Sequence, residues 1–364
     1  MSNLYRIHVL PAQRGDALWI EYGTHDALNH ILIDGGITAT GRDHLRKRAE
    51  EVGTPLHFEL LVVTHIDLDH IQGILQFLEN LPDGITFGDI WFNGWDQMKA
   101  IGLEPMGIKE GIALSEILKK KHKATWNKVA GGKAIALEGD GSIVTYSING
   151  GMELTVLGPA HEQLVKLRER WDEVIEEFAA AEQAEGKGEQ LPGLDLGMPG
   201  LEPMGPIDVQ ELAERKFEED DTIPNGSSIA LLLEYDGKKA LMLGDAYPSV
   251  IANSLLKLSP NERLKVDVVK LAHHGSRNNT DRDLASLLTA PTWVFSSNGA
   301  GNTKHPHKEA VARVLRYGHG VKKLVFNYRT GFNDMWDDDD LIDEFGYDVI
   351  YGDGQSSVTV DLML

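Results

Sequence analysis

The 364-residue sequence predicts a mixed α/β (α+β) fold in which two β-sheets carry helices on their outer sides. Short apolar strands alternate with amphipathic helices as far as Leu157, and the alternation returns at Ile229. Strands outnumber helices and their connections are of mixed length, which favours two sheets. Between the two parts, a stretch at about 160–220 differs in composition and is predicted to be an insertion within one 1–364 domain.

In the first part of the chain, enrichment in Ile, Val, Leu and aromatic residues marks the strands. It predicts strands over 4–10, 17–22, 30–33, 59–64, 90–92, 143–148 and 153–157. Helical spacing is clear after the 59–64 strand, where the apolar residues of one face are Ile71, Ile74, Leu75 and Leu78. Helices are predicted over 42–52, 71–79 and 111–123.

The second part begins with a predicted hairpin, 229–235 and 239–243, joined by Gly237-Lys238. Helices are then predicted over 250–258, 284–288 and 307–317, and strands over 266–271, 293–296, 323–327 and 357–362. The acidic run 337–340 is predicted to be a solvated loop.

The insertion combines a predicted amphipathic helix with a linker. Apolar residues in 161–185 follow helical spacing, and 186–206 is rich in Gly and Pro. Such a helical insertion is expected to form a pocket wall or to bind a protein partner.

Composition narrows the class of protein. Lys and Arg total 35 and Asp and Glu total 56, so the net charge is 35 − 56 = −21, which argues against broad adhesion to nucleic acid or anionic lipid. The absence of cysteine excludes disulfides and thiol nucleophiles. No apolar run approaches the roughly 20 residues of a membrane helix, and the first residues lack a signal-peptide pattern. We therefore expect a soluble, cytoplasmic protein without a membrane partner.

Four potential metal ligands follow the 59–64 strand directly: His65, Asp67, Asp69 and His70. Carboxylates and imidazoles packed together are costly unless a cation compensates them. The alternative explanation, an N-cap for the next helix, would need only one Asp. The cluster therefore predicts a metal site.

Three further segments place polar residues after short apolar strands or before a helix. Asp245 follows 239–243, His273 and His274 follow 266–271, and His305 precedes the helix that His307 is predicted to begin. Because neighbouring side chains on a strand point to opposite faces, only one of His273 and His274 is expected to face a shared site.

In this order, the four segments resemble the metallo-β-lactamase-fold hydrolases, and within them the soluble hydrolase domain of ComEC-type competence proteins. The family pattern is His-x-His-x-Asp-His, then Gly-Asp after a strand, His-His-Gly-Ser and His-Pro. Three other elements fit it: Gly15-Asp16 before a strand, Asp34-Gly35-Gly36 after one, and Asn225-Gly226-Ser227-Ser228. The resemblance implies a metallo-β-lactamase-like αββα sandwich.

The resemblance also implies a ligand set for two divalent ions. One ion would take His65, Asp67 and one of His273 and His274, with His274 preferred; the other would take Asp69, His70 and His305; Asp245 would bridge them. Asp69 and His273 are the expected catalytic residues, with His273 facing the scissile group. The sequence departs from the family at Asp67, which stands where the family has histidine, and His161 is the sole nearby candidate for a further histidine ligand.

Two ions about 3.5–4 Å apart can activate a water molecule and neutralise charge on a phosphoryl or carbonyl oxygen. The mixed carboxylate and imidazole set leaves zinc and manganese open. We expect a metal-dependent hydrolase. The first hypothesis is a phosphodiesterase or nuclease that acts on nucleic acid or a nucleotide. The alternatives are an esterase or peptidase of the same fold, and an inactive metal-binding subunit of a multi-protein system, for example in defence.

The lysine-rich segment 119–128 is either a phosphate-contacting face or a solvated helix end.

Overall fold

The structure, a computed structural model, describes residues 3–98, 109–170, 207–300 and 304–362. Two large sheets dominate these residues. The first is built from β1 (Asn3–Val9), β2 (Leu18–Thr24), β3 (Ala27–Ile33), β4 (Leu56–Val62), β5 (Ile85–Trp91) and β16 (Val358–Asp361), in the order β16-β1-β2-β3-β4-β5.

The second sheet comes almost entirely from the later part of the chain. It contains β6 (Val144–Ile148), β7 (Met152–Gly158), β8 (Ala230–Tyr235), β9 (Lys238–Met242), β11 (Val268–Lys270), β13 (Thr292–Phe295), β14 (Lys323–Phe326) and β15 (Asp348–Tyr351). Their order is β15-β14-β13-β11-β9-β8-β7-β6. A short parallel pair, β10 (Leu264–Lys265) and β12 (Leu288–Thr289), lies apart from both sheets.

Helices connect the strands. In chain order they are α1 (Thr38–Thr40), α2 (Arg46–Val52), α3 (Leu68–Glu79), α4 (Trp95–Met98), α5 (Lys109–Lys121), α6 (His161–Glu169), α7 (Val209–Glu214), α8 (Ile223–Gly226), α9 (Pro248–Leu258), α10 (Arg282–Ser286), α11 (Lys308–Tyr317) and α12 (Asp339–Phe345). A π-helical turn, Gly41–Leu45, joins α1 to α2.

Three apolar cores establish the order of the layers. Alternate strand residues of both sheets, such as Ile20 and Leu233, form a central core between the sheets. The opposite face of the first sheet packs with Ile71 and Ile74 of α3, and the opposite face of the second sheet packs with Val311 of α11. The central strands of both sheets thus bury both faces, and the layers follow the order helix, sheet, sheet, helix. The predicted αββα sandwich is confirmed.

Parallel pairing brings the ends of several strands to one edge of each sheet. β3, β4 and β5 run parallel in the first sheet, and β9, β11, β13, β14 and β15 run parallel in the second. Segments that leave the carboxyl ends of parallel strands meet at one edge. The polar segments singled out in the sequence follow β3, β4, β9, β11 and β13.

One expectation about the C-terminal part was wrong, and one strand there was not predicted. The acidic run 337–340 is not a loop throughout, because Asp338 accepts a hydrogen bond from the Leu341 N–H at 3.1 Å and caps α12. A preference of Asp for N-caps explains this, and the run supplies both the cap and the first turn. Strand β15, which pairs with β14, was not predicted.

The predicted 160–220 insertion is described only at its two ends. Helix α6 lies within the predicted amphipathic segment, and 171–206 lie outside the described residues. Val209 and Leu212 of α7 belong to the helix-side core of the second sheet, so this end of the stretch packs on the sandwich. Among the described residues, no helix combines the length and the apolar character needed to span a membrane.

Candidate metal centre

The segment that runs from the end of β4 into the first turn of α3 carries the densest set of site residues. Asp67 occupies the N-cap of α3 in an extended conformation, yet its side chain makes no capping hydrogen bond. Its Oδ2 instead lies 3.5 Å from the His65 Nε2. The capping explanation of the cluster therefore does not hold, and the carboxylate is directed towards an imidazole.

Asp34, which follows β3, holds this segment in place. It accepts hydrogen bonds from the Thr64 N–H (2.8 Å) and the Thr64 hydroxyl (2.7 Å), and its Oδ2 lies 2.8 Å from the His70 Nδ1. The segment is also joined to the second half of the chain, because the Ile229 N–H donates to the Thr64 carbonyl at 2.9 Å.

Asp245, which follows β9 in the second sheet, lies at the middle of the site. The side chain is 3% exposed, and its Oδ2 lies 3.4 Å from the Nε2 of His70, 3.6 Å from that of His274, 3.9 Å from that of His65 and 4.0 Å from that of His273. One carboxylate thus faces four imidazoles from both halves of the chain.

Both His273 and His274 face Asp245, so the expectation that only one of them could do so was wrong. They do not lie on a strand. They form a tight turn, 272–275, with φ of 47° and 56°, and this left-handed backbone removes the alternation of an extended chain.

The Nδ1 atoms of the four imidazoles are held by an outer set of polar groups. The contacts are His65 to the Thr64 hydroxyl (3.0 Å), His70 to Asp34 (2.8 Å), His273 to the Asn279 Oδ1 (3.0 Å), and His274 to the Ser296 carbonyl (3.1 Å). A carbonyl or carboxylate only accepts, and the Thr64 hydroxyl proton is already directed at Asp34. These partners therefore favour a proton on each Nδ1, so that the Nε2 atom on the Asp245 side of each ring is the one available to a metal ion.

Three buried polar atoms at this site have no hydrogen-bond partner: the His65 Nε2, the Asp67 Oδ1 and the Asp245 Oδ1. A buried polar atom without a partner costs about 1–3 kcal/mol, and more when it is charged. Imidazole nitrogens and carboxylate oxygens are the ligands of Zn²⁺ and related divalent ions. The residues present therefore fit a metal ion, and the buried Asp and His cluster can hold one.

The electrostatics of the site follow from burial and close opposite charges. Burial alone would raise the pKa of Asp245, but the surrounding histidines outweigh it and hold the pKa well below its usual range. Burial alone would lower the pKa of His70, but Asp245 and Asp34 raise it well above its usual range. For His305, burial and the neighbouring histidines act together and lower the pKa well below its usual range.

The remaining predicted residues lie at different places around the centre. The Asp69 Oδ2 is 3.5 Å from the His274 Nε2. His305 is buried, and its ring centroid lies 4.8 Å from that of His273 and 5.9 Å from that of His274. His307 occupies the N-cap position of α11, and its Nδ1 accepts from the Arg277 N–H at 3.0 Å. His161 is exposed at the start of α6.

His274 lies with Asp69 and His70, whereas the resemblance grouped it with His65 and Asp67. The left-handed turn at 273–274 carries its ring to the Asp69 side of Asp245. Seven residues proposed as ligands thus come from the β4–α3 segment, the end of β9, the turn after β11 and the loop before α11.

Asp16 was not among the predicted site residues. Its Oδ1 lies 3.2 Å from the His274 Nδ1, and its Oδ2 forms an ion pair with the buried Lys270 ammonium group. Burial alone would raise the pKa of Asp16, but Lys270 and His274 hold it at about 2. A ligand oxygen of Asp16 also lies within 4.8 Å of ligand atoms of His70, His274 and Asp245. Because both oxygens of Asp16 are already engaged, we place it as a residue that orients His274.

Asp220 is a second acidic residue that the sequence did not single out. Its Oδ2 accepts from the amides of Asn225 (2.6 Å) and Asn279 (3.0 Å) and lies 3.3 Å from the His273 Nδ1. Burial alone would lower the pKa of His273, but Asp245 and Asp220 raise it to about 9. The His273 side chain is 24% exposed, more than the other imidazoles facing Asp245.

The lysine-rich segment has acidic neighbours. At the end of α5, Lys119 pairs with Asp96 of α4 at 2.6 Å, and Lys120 pairs with Glu116 of α5 at 3.2 Å. These contacts are typical of a solvated helix end.

Comparisons with known proteins bear on part of the chain. No family model matches the sequence. ComE operon protein 3 of Bacillus subtilis (strain 168) is 28% identical over 105 residues, which is 29% of this chain and 13% of that protein. The chain therefore spans only a small part of that relative's length. This similarity agrees with the resemblance to ComEC-type proteins that the motifs predicted.

Two solved structures have low similarity to the whole chain. The metallo-β-lactamase fold protein YhfI from Bacillus subtilis is 10% identical, with 99% of each chain covered and a TM-score of 0.41. A CmlA β-hydroxylase variant is 10% identical, with 100% of this chain and 54% of that chain covered and a TM-score of 0.36. The layer order and the buried centre at the strand ends agree with the metallo-β-lactamase fold that the motifs predicted.

Proposed function

We propose that this chain is a metal-dependent phosphodiesterase that uses two divalent ions, zinc or manganese, and acts on nucleic acid or a nucleotide. One observation carries the proposal: the Asp245 carboxylate faces four imidazole Nε2 atoms within 4.0 Å, among buried ligand atoms that lack hydrogen-bond partners. Uncompensated groups of this kind are costly without a cation.

Asp245 would lie between the two ions and contact both. His65 and Asp67 would hold one ion, since their Nε2 and Oδ2 atoms are 3.5 Å apart. Asp69, His70 and His274 would hold the other, with His305 completing the ligand set. When bound, such ions lower the pKa of a water molecule and stabilise negative charge on a phosphoryl oxygen.

His273 is the proposed proton donor to the leaving oxygen. Its Nε2 faces the centre 4.0 Å from the Asp245 Oδ2, and its side chain is the most exposed among the four imidazoles around Asp245. Asn279 and Asp220 hold its Nδ1 side, so the ring keeps one orientation towards a bound substrate. Asp69, the second expected catalytic residue, is proposed to act as a ligand required for turnover.

The choice of a phosphodiester follows from the resemblance to ComEC-type hydrolase domains and from the local similarity to ComE operon protein 3. A fold of this kind supports many reactions, so the substrate must be tested directly. An ester or peptide substrate, or metal binding without turnover, is the outcome that would replace this proposal.

Hydrolysis of bis-p-nitrophenyl phosphate in the presence of Mn²⁺ or Zn²⁺ tests the proposal. We expect turnover by the wild-type chain and a loss of more than about 100-fold in Asp69→Ala and in Asp245→Ala. Asp26→Ala, in an exposed turn, is the matched control and should retain full activity. Turnover of a carbon ester or a peptide alone would contradict the proposal, as would metal binding with no turnover of any of these substrates.

A further inference from the structure

A cavity of about 460 Å³ is lined in part by residues that neighbour the candidate metal centre in sequence. Its polar lining consists of Gln13, Arg14, Thr38, Arg42 and Gln72, and we call it the arginine pocket. Its lining residues include no Asp or Glu, although the chain carries a net charge of −21. A concave site with two guanidinium groups and two carboxamides offers donors for an anion with several oxygens.

Two of the segments that line the arginine pocket also hold the centre. Gln72 lies three residues after Asp69 on α3, about 4.5 Å along the helix axis. Gln13 and Arg14 precede Gly15, and the Asp16 N–H donates to the Asp69 carbonyl at 3.3 Å. A Cβ on Gly15 would lie 1.8 Å from the Asp69 carbonyl oxygen, so the two segments are in direct contact. A group in the pocket would therefore be a near neighbour of a group at the centre.

The loop that carries Gln13 and Arg14 is held in one conformation. Gln13 has a φ of 58°, in the left-handed region, which a non-glycine residue adopts only when its surroundings impose it. The Gln13 N–H donates to the Tyr328 hydroxyl at 2.8 Å, and its carbonyl accepts from the Asn298 N–H at 2.8 Å. The pocket wall is thus fixed by contacts to the second half of the chain.

Arg42 can exchange its present partner for a ligand. Its guanidinium group makes two 2.7 Å contacts with Asp43, and both side chains are about half exposed or more. An exposed pair of this kind is worth about 1 kcal/mol or less, and the two free oxygens of a phosphodiester offer the same two-point geometry.

We propose that the arginine pocket binds a phosphate group of a single nucleic-acid strand, next to the phosphodiester that lies at the metal centre. The inference rests on the proposed function and narrows its substrate to a strand with at least two phosphates. The volume is of the size that holds a small molecule such as one nucleotide, so the pocket would take one unit of a strand. Contacts to phosphate carry no sequence information, so the pocket would be insensitive to the base sequence of the strand.

Binding of a fluorescein-labelled oligothymidylate of about ten nucleotides, followed by fluorescence anisotropy in EDTA, tests this without turnover. For the double variant Arg14→Gln, Arg42→Gln we expect the Kd to rise by about tenfold or more. The slope of log Kd against log salt concentration should fall by about 0.7 for each lost phosphate contact. Arg46→Gln, an exposed arginine of α2 that pairs with Glu50, is the matched control and should bind as the wild type does.

A kinetic comparison separates this inference from the proposed function. In the double variant, kcat/KM for the oligonucleotide should fall about tenfold more than kcat/KM for bis-p-nitrophenyl phosphate, which has a single phosphate. A chain that cleaves neither compound refutes the proposed function, while the anisotropy measurement still decides about the pocket. Unchanged binding and an unchanged salt slope in the double variant, with a folded protein by circular dichroism, would overturn the inference.

Discussion

The Asp34 Oδ2 lies 2.8 Å from the His70 Nδ1, and the same oxygen accepts the hydroxyl proton of Thr64. Asp34 thus fixes both the ring of one proposed ligand and the backbone that carries another. Such outer carboxylates orient a ligating imidazole and raise its basicity. We expect Asp34→Asn to weaken metal affinity by about 10–100-fold, measured by titration of the metal-free chain.

Asp26→Asn provides the matched control, since it makes the same chemical change in an exposed turn. It should leave the metal affinity at the wild-type value. Equal affinities in Asp34→Asn and Asp26→Asn would show that Asp34 has no part in orienting the centre.

The buried ion pair between Lys270 and Asp16 leads to a prediction about stability. Lys270 is 1% exposed, and its removal leaves the Asp16 carboxylate buried beside His274 without its ammonium partner. Breaking a buried pair from one side costs about 3–5 kcal/mol. We expect Lys270→Met to lower the free energy of unfolding by this amount in urea denaturation.

Lys238→Met is the comparison for this variant, because Lys238 pairs with Asp267 at the surface. Its cost should stay within about 1 kcal/mol. If Lys270→Met and Lys238→Met lower the free energy of unfolding by similar amounts, the buried ion pair contributes no more to stability than the surface pair.

Gly73 lies inside helix α3, and the close contact between α3 and the turn after β3 explains why glycine occupies this position. A Cβ on Gly73 would lie 1.8 Å from the Gly35 carbonyl oxygen, and the Gly73 N–H donates to the Gly36 carbonyl at 2.8 Å. Alanine gains about 1 kcal/mol of helix propensity over glycine, but here it would push α3 away from this turn. We expect Gly73→Ala to lower the free energy of unfolding by about 1–3 kcal/mol and to weaken metal binding.

Gly139→Ala is the control for steric effects, since a Cβ there meets no atom within 4 Å. Thermal unfolding of both variants should separate them clearly. A Gly73→Ala variant as stable as the wild type would mean that α3 can shift without cost.

A pH effect on stability is expected away from the metal centre, at Glu21. Burial alone would raise the pKa of this carboxyl, but His8 and Arg48 bring it down to about 2 from an ordinary value of 4.5. A lowered pKa stabilises the folded state above about pH 4.5, and this contribution disappears as the pH falls from there to about 2. The full contribution is of order 3 kcal/mol.

We therefore expect Glu21→Gln to be less stable than the wild type at neutral pH, with the difference shrinking as the pH falls from about 4.5 to about 2. Urea unfolding at several pH values measures this difference, and Glu50→Gln, in an exposed pair with Arg46, should show almost none. A stability difference that does not change with pH would contradict the lowered pKa of Glu21.

Much of the fold could be predicted because the strands are short, apolar and separated by helices with clear spacing. The two-sheet sandwich follows from that alternation, and the hairpin of β8 and β9 was predicted within a residue or two. The acidic run before α12 was misjudged, because a cluster of Asp is equally typical of a loop and of a capped first turn.

The residues proposed as metal ligands could be singled out from the sequence, but most of the residues that hold those ligands in place could not. His65, Asp69, His70, Asp245 and His274 stand out because each follows an apolar strand. Asp34 is followed by two glycines, a pattern common at turns, and its contact with His70 depends on a parallel pairing that the sequence does not state. Asp220 lies in an acidic stretch and gave no signal. The left-handed turn at 273–274 could not be predicted either, since His-His has no backbone signature.

Metal content of the purified chain after dialysis tests the central claim most directly. Elemental analysis should find about two divalent ions per wild-type chain and a marked loss in Asp245→Ala, with Asp26→Ala unchanged. A wild-type chain that takes up no divalent ion, even after incubation with Zn²⁺ or Mn²⁺, would contradict the account.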